Sequence, residues 1–156
     1  MSDLDAMYQE IILDAAKERL GEGELDHFHG ESFQVNTTCG DEINLQVELS
    51  EDGTRIEKLG WTGEGCSISR ASIGIMIDML EGESLANAQE LYEAFRELMD
   101  SRGKIAGEDV EEQLGDAAAF VGVAKFPARI KCALLGWMAM LDATEKAQAE
   151  EGGAYD

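Results

Sequence analysis

Residues 42–49 read Glu-Ile-Asn-Leu-Gln-Val-Glu-Leu, polar and apolar in strict alternation. A period of two predicts a strand with one buried face, as in an antiparallel sheet covered on one side. Glu51-Asp52-Gly53 supplies a turn, and residues 54–62 return as the next strand with looser alternation. Upstream, Phe33 and Val35 predict a short strand that delivers Cys39. The period changes elsewhere. In residues 3–20, Leu4, Met7, Tyr8, Ile11, Ile12, Ala15 and Ala16 fall at helical spacing, and Gly21 and Gly23 end the helix before a polar loop to about Ser32. From Ser67 to near Gly82, Ile68, Ala71, Ile75, Met76 and Met79 predict a second helix, and Ser84 opens a third that runs to about Met99. Residues 101–116 are polar and acidic, a surface excursion with a short helix. The last element begins near Pro127, a favoured first-turn residue, and stays apolar through Leu141. The pattern gives an α+β fold: a small antiparallel sheet of about three strands with an N-terminal helix and C-terminal helices packed on it. Residues 1–146 read as a single domain and 147–156 as a flexible tail.

Composition narrows the function classes. The 156 residues suffice for a core without disulfide staples, and three cysteines cannot all pair within one molecule. The first residues, MSDLDAMYQE, lack the basic start and apolar run of a signal peptide, and no apolar stretch approaches the ~18 residues of a membrane span. The expectation is a soluble cytoplasmic protein with reduced thiols. A net charge of −21, from 33 acidic and 12 basic residues, argues against nucleic acid as a partner. Because 17 carboxylates fall in residues 1–78 and 16 in 79–156, the acid is a whole-surface property, of the kind suited to high salt, and not an interaction tail. The three longest stretches without Asp or Glu are 117–141, 65–77 and 32–40, and each contains one cysteine. Core burial explains this gap, and a cluster of thiolates avoiding further negative charge would explain it too.

The cysteines have distinct settings. Cys39 lies in Asn-Thr-Thr-Cys-Gly-Asp, where Gly40 permits a tight turn and Asp41 can aim at the same point as the thiol. Cys66 follows Gly63-Glu64-Gly65 and precedes a helix, whose N-terminus favours a thiolate. Cys132 follows Lys125, Arg129 and Lys131, which would also favour an anionic sulfur. Three such thiols plus Asp41 make a Cys3Asp tetrahedral zinc site, although no zinc-finger spacing is present and burial as a small hydrophobe competes for each cysteine taken singly. His27 and His29 read as solvated loop residues. There is no C-x-x-C redox pair and no Walker-type phosphate loop.

Taken jointly and in this order, CGD, GEGCSIS and FPARIKCALLGW resemble the iron–sulfur cluster assembly proteins of the U-type scaffold (IscU/SufU) superfamily, and within it the SufU branch. The resemblance runs from the first helix to about Met140. IscU-like members carry a histidine immediately before the third cysteine, where this chain has Lys131, and a shorter path between the second and third cysteines; the segment around 101–116 looks like the SufU insertion. The Leu-Pro-Pro-Val-Lys motif of the IscU branch is absent, and Thr37 stands where the family often has proline. The resemblance implies a zinc site made by Cys39, Asp41, Cys66 and Cys132. It implies an accessory sulfurtransferase for a SufS-type cysteine desulfurase, in which Cys39 accepts the sulfur as a persulfide and passes it to the downstream iron–sulfur assembly machinery. Arg129 and Lys131, on charge alone, would steady Asp41 or the freed thiolate. The alternative is a scaffold or carrier on which the same four residues hold a [2Fe–2S] iron–sulfur cluster.

Overall fold

A computed structural model of the chain describes residues 3–105 and 108–149. Helix α1 (Asp3–Glu18) precedes strands β1 (Gly30–Asn36), β2 (Asp41–Leu49) and β3 (Ile56–Glu64); α2 (Ser67–Leu80), α3 (Leu85–Asp100), α4 (Glu108–Leu114) and α5 (Pro127–Ala149) follow. The strands form one antiparallel sheet in the order β1-β2-β3. The fold is therefore the expected α+β arrangement, with one helix before the sheet and the others after it.

The alternation in β2 sends Ile43, Leu45, Val47 and Leu49 into the core, where Leu45 pairs with Trp61 and Val47 with Leu59 of β3. The opposite face is less solvated than its polar residues suggest. The 19–29 segment lies along β3: Trp61 N donates to Gly21 O at 3.0 Å, and Gly23 N donates to Trp61 O at 2.7 Å. It also covers Gln46, whose Oε1 accepts from Leu25 N at 2.8 Å. His29 belongs to this packing too, since its Nδ1 accepts from Leu49 N at 2.9 Å, whereas His27 is exposed.

In β1 the strand is where Phe33 and Val35 place it, but those two side chains are the exposed ones, and Ser32 and Asn36 are buried. The reason is α5, which crosses the inner face of β1 so closely that a Cβ at Gly30 would lie 2.1 Å from Ala143 O. Only small or polar residues fit under that helix.

Ser84 caps α3, accepting from Asn87 N at 3.0 Å. The acidic excursion carries the short α4, and residues 106 and 107 lie outside the described residues. The chain then turns inward through two 3₁₀ turns, burying Ala117–Phe120 beneath α3, where Phe95 meets the Phe120 ring edge-on at 5.7 Å and stacks on Trp137 at 4.9 Å. Helix α5 continues past the expected start of the tail. Ala147 is fully buried, next to Gly30, and residues 150–156 lie outside the described residues.

Candidate metal centre

The sheet and two helix starts converge on one corner of the molecule. Asn36 pairs with Asp41 across the β1–β2 turn, and Glu42 pairs with Glu64 across β2 and β3. The pairing brings Asp41 opposite the approach to Cys66. In the turn, Asn36 Oδ1 accepts from Thr38 N at 3.1 Å and Asn36 O accepts from Gly40 N at 2.8 Å. Gly40 takes φ +78°, the left-handed conformation that the turn requires. Cys39 sits exposed on this turn.

Cys66 is the N-cap residue of α2, with extended φ and ψ, and its carbonyl accepts from Arg70 N at 3.0 Å. The glycines before it are not slack. At Gly63 (φ +136°) a Cβ would stand 2.1 Å from Glu42 O, and at Gly65 it would meet Ser69 Cβ at 3.2 Å. They let β3 and the start of α2 press against β2 and each other. Cys132 enters from the first turns of α5 and is buried.

Cys39 Sγ and Cys132 Sγ lie 3.6 Å apart, and these sulfurs and an Asp41 oxygen all fall within 4.8 Å of one another. Cys66 adjoins them: its N–H donates to Asp41 Oδ1 at 3.1 Å and its sulfur lies 3.5 Å from Ser69 Oγ, although that sulfur falls outside the 4.8 Å group. Of the four residues expected at the site, Cys39, Asp41 and Cys132 therefore come within reach of one metal ion, and Cys66 stands next to them. Two sulfurs bound tetrahedrally at the usual zinc–thiolate length of ~2.3 Å stand about 3.8 Å apart, so the observed 3.6 Å suits a shared metal. A three-sulfur, one-carboxylate donor set fits zinc, and its thiolates also fit an iron–sulfur cluster.

Electrostatics corrects one expectation. Burial pushes the Cys132 thiol up, and its hydrogen bonds and charge interactions with Cys39 and Cys66 push it further. Arg129 and Lys131 do not counteract this, because both side chains are exposed. The Arg129 guanidinium lies over the Phe126 ring at 4.6 Å, and neither residue is among the hydrogen-bond or ion-pair partners of Asp41 in the described residues. Burial alone would raise the Asp41 carboxyl as well, but hydrogen bonds from Ser69, Cys39, Cys66 and the Cys66 N–H outweigh it and hold the group below its usual range. A bound cation would reverse the Cys132 shift, since a coordinating thiol loses its proton.

Two residues of the site were not singled out from the sequence. Ser69, fully buried three residues after the N-cap, donates to Asp41 Oδ2 at 2.5 Å. The same oxygen lies 3.3 Å from Cys132 O, and its one proton goes to the closer, charged acceptor. Asn36 turns its Nδ2 to Cys132 Sγ at 3.7 Å. The available signal for Ser69 was a hydroxyl at the third helical position, where a side chain commonly reaches back to the cap.

Known proteins resemble this chain along most of its length. Residues 7–133 match the NifU-like N terminal domain. The chain is 39% identical over 155 residues, 97% of each chain, to the zinc-dependent sulfurtransferase SufU of Bacillus subtilis. It is 37% identical over 147 residues, 94% of this chain and 87% of the relative, to the iron–sulfur cluster assembly scaffold protein IscU of Streptococcus pyogenes. A crystal structure from Fervidobacterium islandicum, described as an iron–sulfur cluster assembly scaffold protein for the SUF system, superposes with a TM-score of 0.78 at 31% identity, covering 89% of this chain and 97% of that one.

Proposed function

Because the chain belongs to the family of NifU-like N-terminal domains, proteins of iron–sulfur cluster assembly, we propose that it acts as a zinc-dependent sulfur acceptor for a SufS-type cysteine desulfurase. The observation that carries the reading is the meeting of Cys39, Asp41, Cys66 and Cys132 at one corner, with only Cys39 exposed. Zinc held by these four residues would supply the positive charge that keeps crowded sulfurs ionised.

The chain's own residues divide the remaining work. Cys132 and Asp41 are buried and tied down, by Asn36 in one case and by Ser69 and the Cys66 N–H in the other, so they form the fixed part of the site. Cys39 stands on a turn beside a glycine whose missing Cβ would meet nothing within 4 Å, so a partner can approach it. Its thiolate would attack the outer sulfur of the desulfurase persulfide. A new S–S bond forms at Cys39, the donor's S–S bond breaks, and the donor cysteine leaves as a thiolate. The Cys39 persulfide is then handed to the downstream assembly machinery.

A second reading has a specific observation in its favour: the Streptococcus relative is named as a scaffold. The same cysteines would then carry an iron–sulfur cluster as cargo. Lys131, exposed beside Cys132, offers no imidazole or thiol as a further ligand there. Metal content of anaerobically purified protein, with desulfurase turnover assayed on the same sample, separates the two. About one zinc per chain and a stimulation lost in Cys39→Ala support sulfur acceptance. Iron and acid-labile sulfide without stimulation reject it in favour of the scaffold.

A further inference from the structure

A groove of about 520 Å³ runs beside the thiol corner. One wall is the end of β1 and its turn, from Gln34 to Thr38; the other is α5, with Lys131, Leu134 and Met138. Thr38 precedes Cys39 and Lys131 precedes Cys132, so the groove borders the turn and the helix that carry two of the sulfurs, although no cysteine lines it. The end of α3 and the turn after it close the groove with Arg96 and Arg102.

The charge here is opposite to that of the molecule. On a chain of net charge −21, the charged residues lining this groove are Arg96, Arg102, Lys131 and Asp100, an excess of two positive charges in which Arg96 pairs with Asp100 at 3.5 Å. Six of the twelve basic residues fall between positions 96 and 131. An acidic partner repelled by much of the surface finds an attractive approach along this face.

Arg102 adds an independent observation. Its φ is +58°, a left-handed conformation that strains a side-chain-bearing residue. Arg19 is held in the same region (φ +52°), but its guanidinium bonds Glu22 at 2.8 Å and lies over Trp61 at 5.6 Å. The Arg102 guanidinium is exposed and has no hydrogen-bond or ion-pair partner among the described residues. A strained position that glycine would occupy more easily thus holds an unengaged charge at the mouth of the groove.

The third observation is the open side of β1, an outer strand of the sheet. Lys146 Nζ covers it at one end by donating to Glu31 O at 3.3 Å, whereas the other end carries the exposed Phe33 and Val35 beside the groove. Open strand edges are usually blunted, and where they are not they accept extended segments through main-chain hydrogen bonds.

We propose that the groove seats an extended, carboxylate-bearing segment of the sulfur-donor protein, with Arg96, Arg102 and Lys131 as its charged contacts and Val35, Leu134 and Met138 as its apolar floor. The proposal rests on the sulfur-acceptor reading above, because that reading requires a donor to reach Cys39 past this face. The test titrates the zinc-loaded protein into its cysteine desulfurase at low and at physiological ionic strength, reading the half-saturating concentration and the maximal stimulation separately. Arg96→Glu combined with Arg102→Glu should raise the half-saturating concentration about tenfold or more at low salt, less at high salt, and leave the maximum unchanged. Arg102→Gly should raise it about threefold without lowering the thermal midpoint, since glycine relieves the strained backbone; this excludes misfolding as the cause.

An unchanged half-saturating concentration in both variants, with full stimulation, overturns the docking proposal and leaves sulfur acceptance standing. Weakened association in the variants, with no sulfur ever reaching Cys39 of the unsubstituted protein, supports docking and overturns sulfur acceptance. Self-association of the protein that these substitutions abolish would put a second copy in the groove and overturn the proposal.

Discussion

Replacing Ser69 by alanine removes one oxygen atom from a site that is fully closed around it. Ser69 has 0% relative exposure and Asp41 5%, so no water takes the place of the 2.5 Å hydrogen bond to Asp41 Oδ2. A hydrogen bond to a charged group contributes roughly 1.5–3 kcal/mol. In a domain of this size each kcal/mol moves the thermal midpoint by about 2–4 °C, which predicts a fall of about 3–12 °C for the metal-free protein. Metal affinity gives a second figure. Removing a hydrogen-bond partner that orients a ligand lowers affinity about 10–100-fold, or about 1.4–2.7 kcal/mol, the same range reached from the opposite direction. Chelator competition for zinc and thermal unfolding of the metal-free protein measure the two effects. Ser72→Ala is the control, because Ser72 lies one turn further along α2 and is equally buried, but donates at 2.6 Å to a neutral acceptor, Ala133 O. It should cost stability and leave zinc affinity alone. Equal destabilisation by the two variants, with zinc affinity unchanged in both, would refute the assignment of Ser69 to the metal centre.

Gly63→Ala should be more damaging than its size suggests, since its Cβ would lie 2.1 Å from Glu42 O at a φ of +136°; a loss above about 1 kcal/mol by chemical denaturation, with weakened zinc binding, is expected. Phe95→Ala opens a cavity between Phe120 and Trp137 and should destabilise by about 3–5 kcal/mol in the same assay without altering the ligands. Asp52 tests a different part of the fold. Hydrogen bonds from the Ser50 hydroxyl, then from the Thr54 hydroxyl and N–H, hold its carboxyl down at about 2. A carboxyl depressed in the folded state stabilises above its unfolded value near 4 and loses that contribution as the pH falls towards the folded value. Asp52→Ala should therefore unfold at a lower temperature than the parent at pH 6, with the gap closed near pH 2; a gap independent of pH would contradict the assignment.

The elements that were legible in the sequence are those in which local pattern and tertiary packing agree. Strand β2 shows its period because one face meets the core along its whole length, and α3 shows its start because Ser84 caps it in the ordinary way. The nearness of Cys39, Asp41 and Cys132 was legible through small motifs, each held by a turn or by the first turns of a helix. What was not legible depended on partners remote in sequence. Phe33 and Val35 face outward because Ala143 and Ala147 of α5 occupy the other side of β1. The 19–29 segment reads as a polar loop, yet its backbone is ordered by Trp61. The basic run before Cys132 suggested an ionised sulfur, but on the helix those side chains turn to solvent while the thiol turns to two others. Ser69 takes its role only from Asp41, 28 positions earlier in the chain, which the fold places beside it.

The sulfur-acceptor function proposed above requires that sulfur arrive at Cys39. Zinc-loaded protein is incubated anaerobically with its cysteine desulfurase and a single equivalent of cysteine, trapped with an alkylating reagent, and digested for mass spectrometry. One added sulfur atom is expected on the peptide that carries Cys39, with Cys66 and Cys132 unmodified. Sulfur on either of those two cysteines, or a transferred sulfur found only as sulfide beside bound iron, would contradict it.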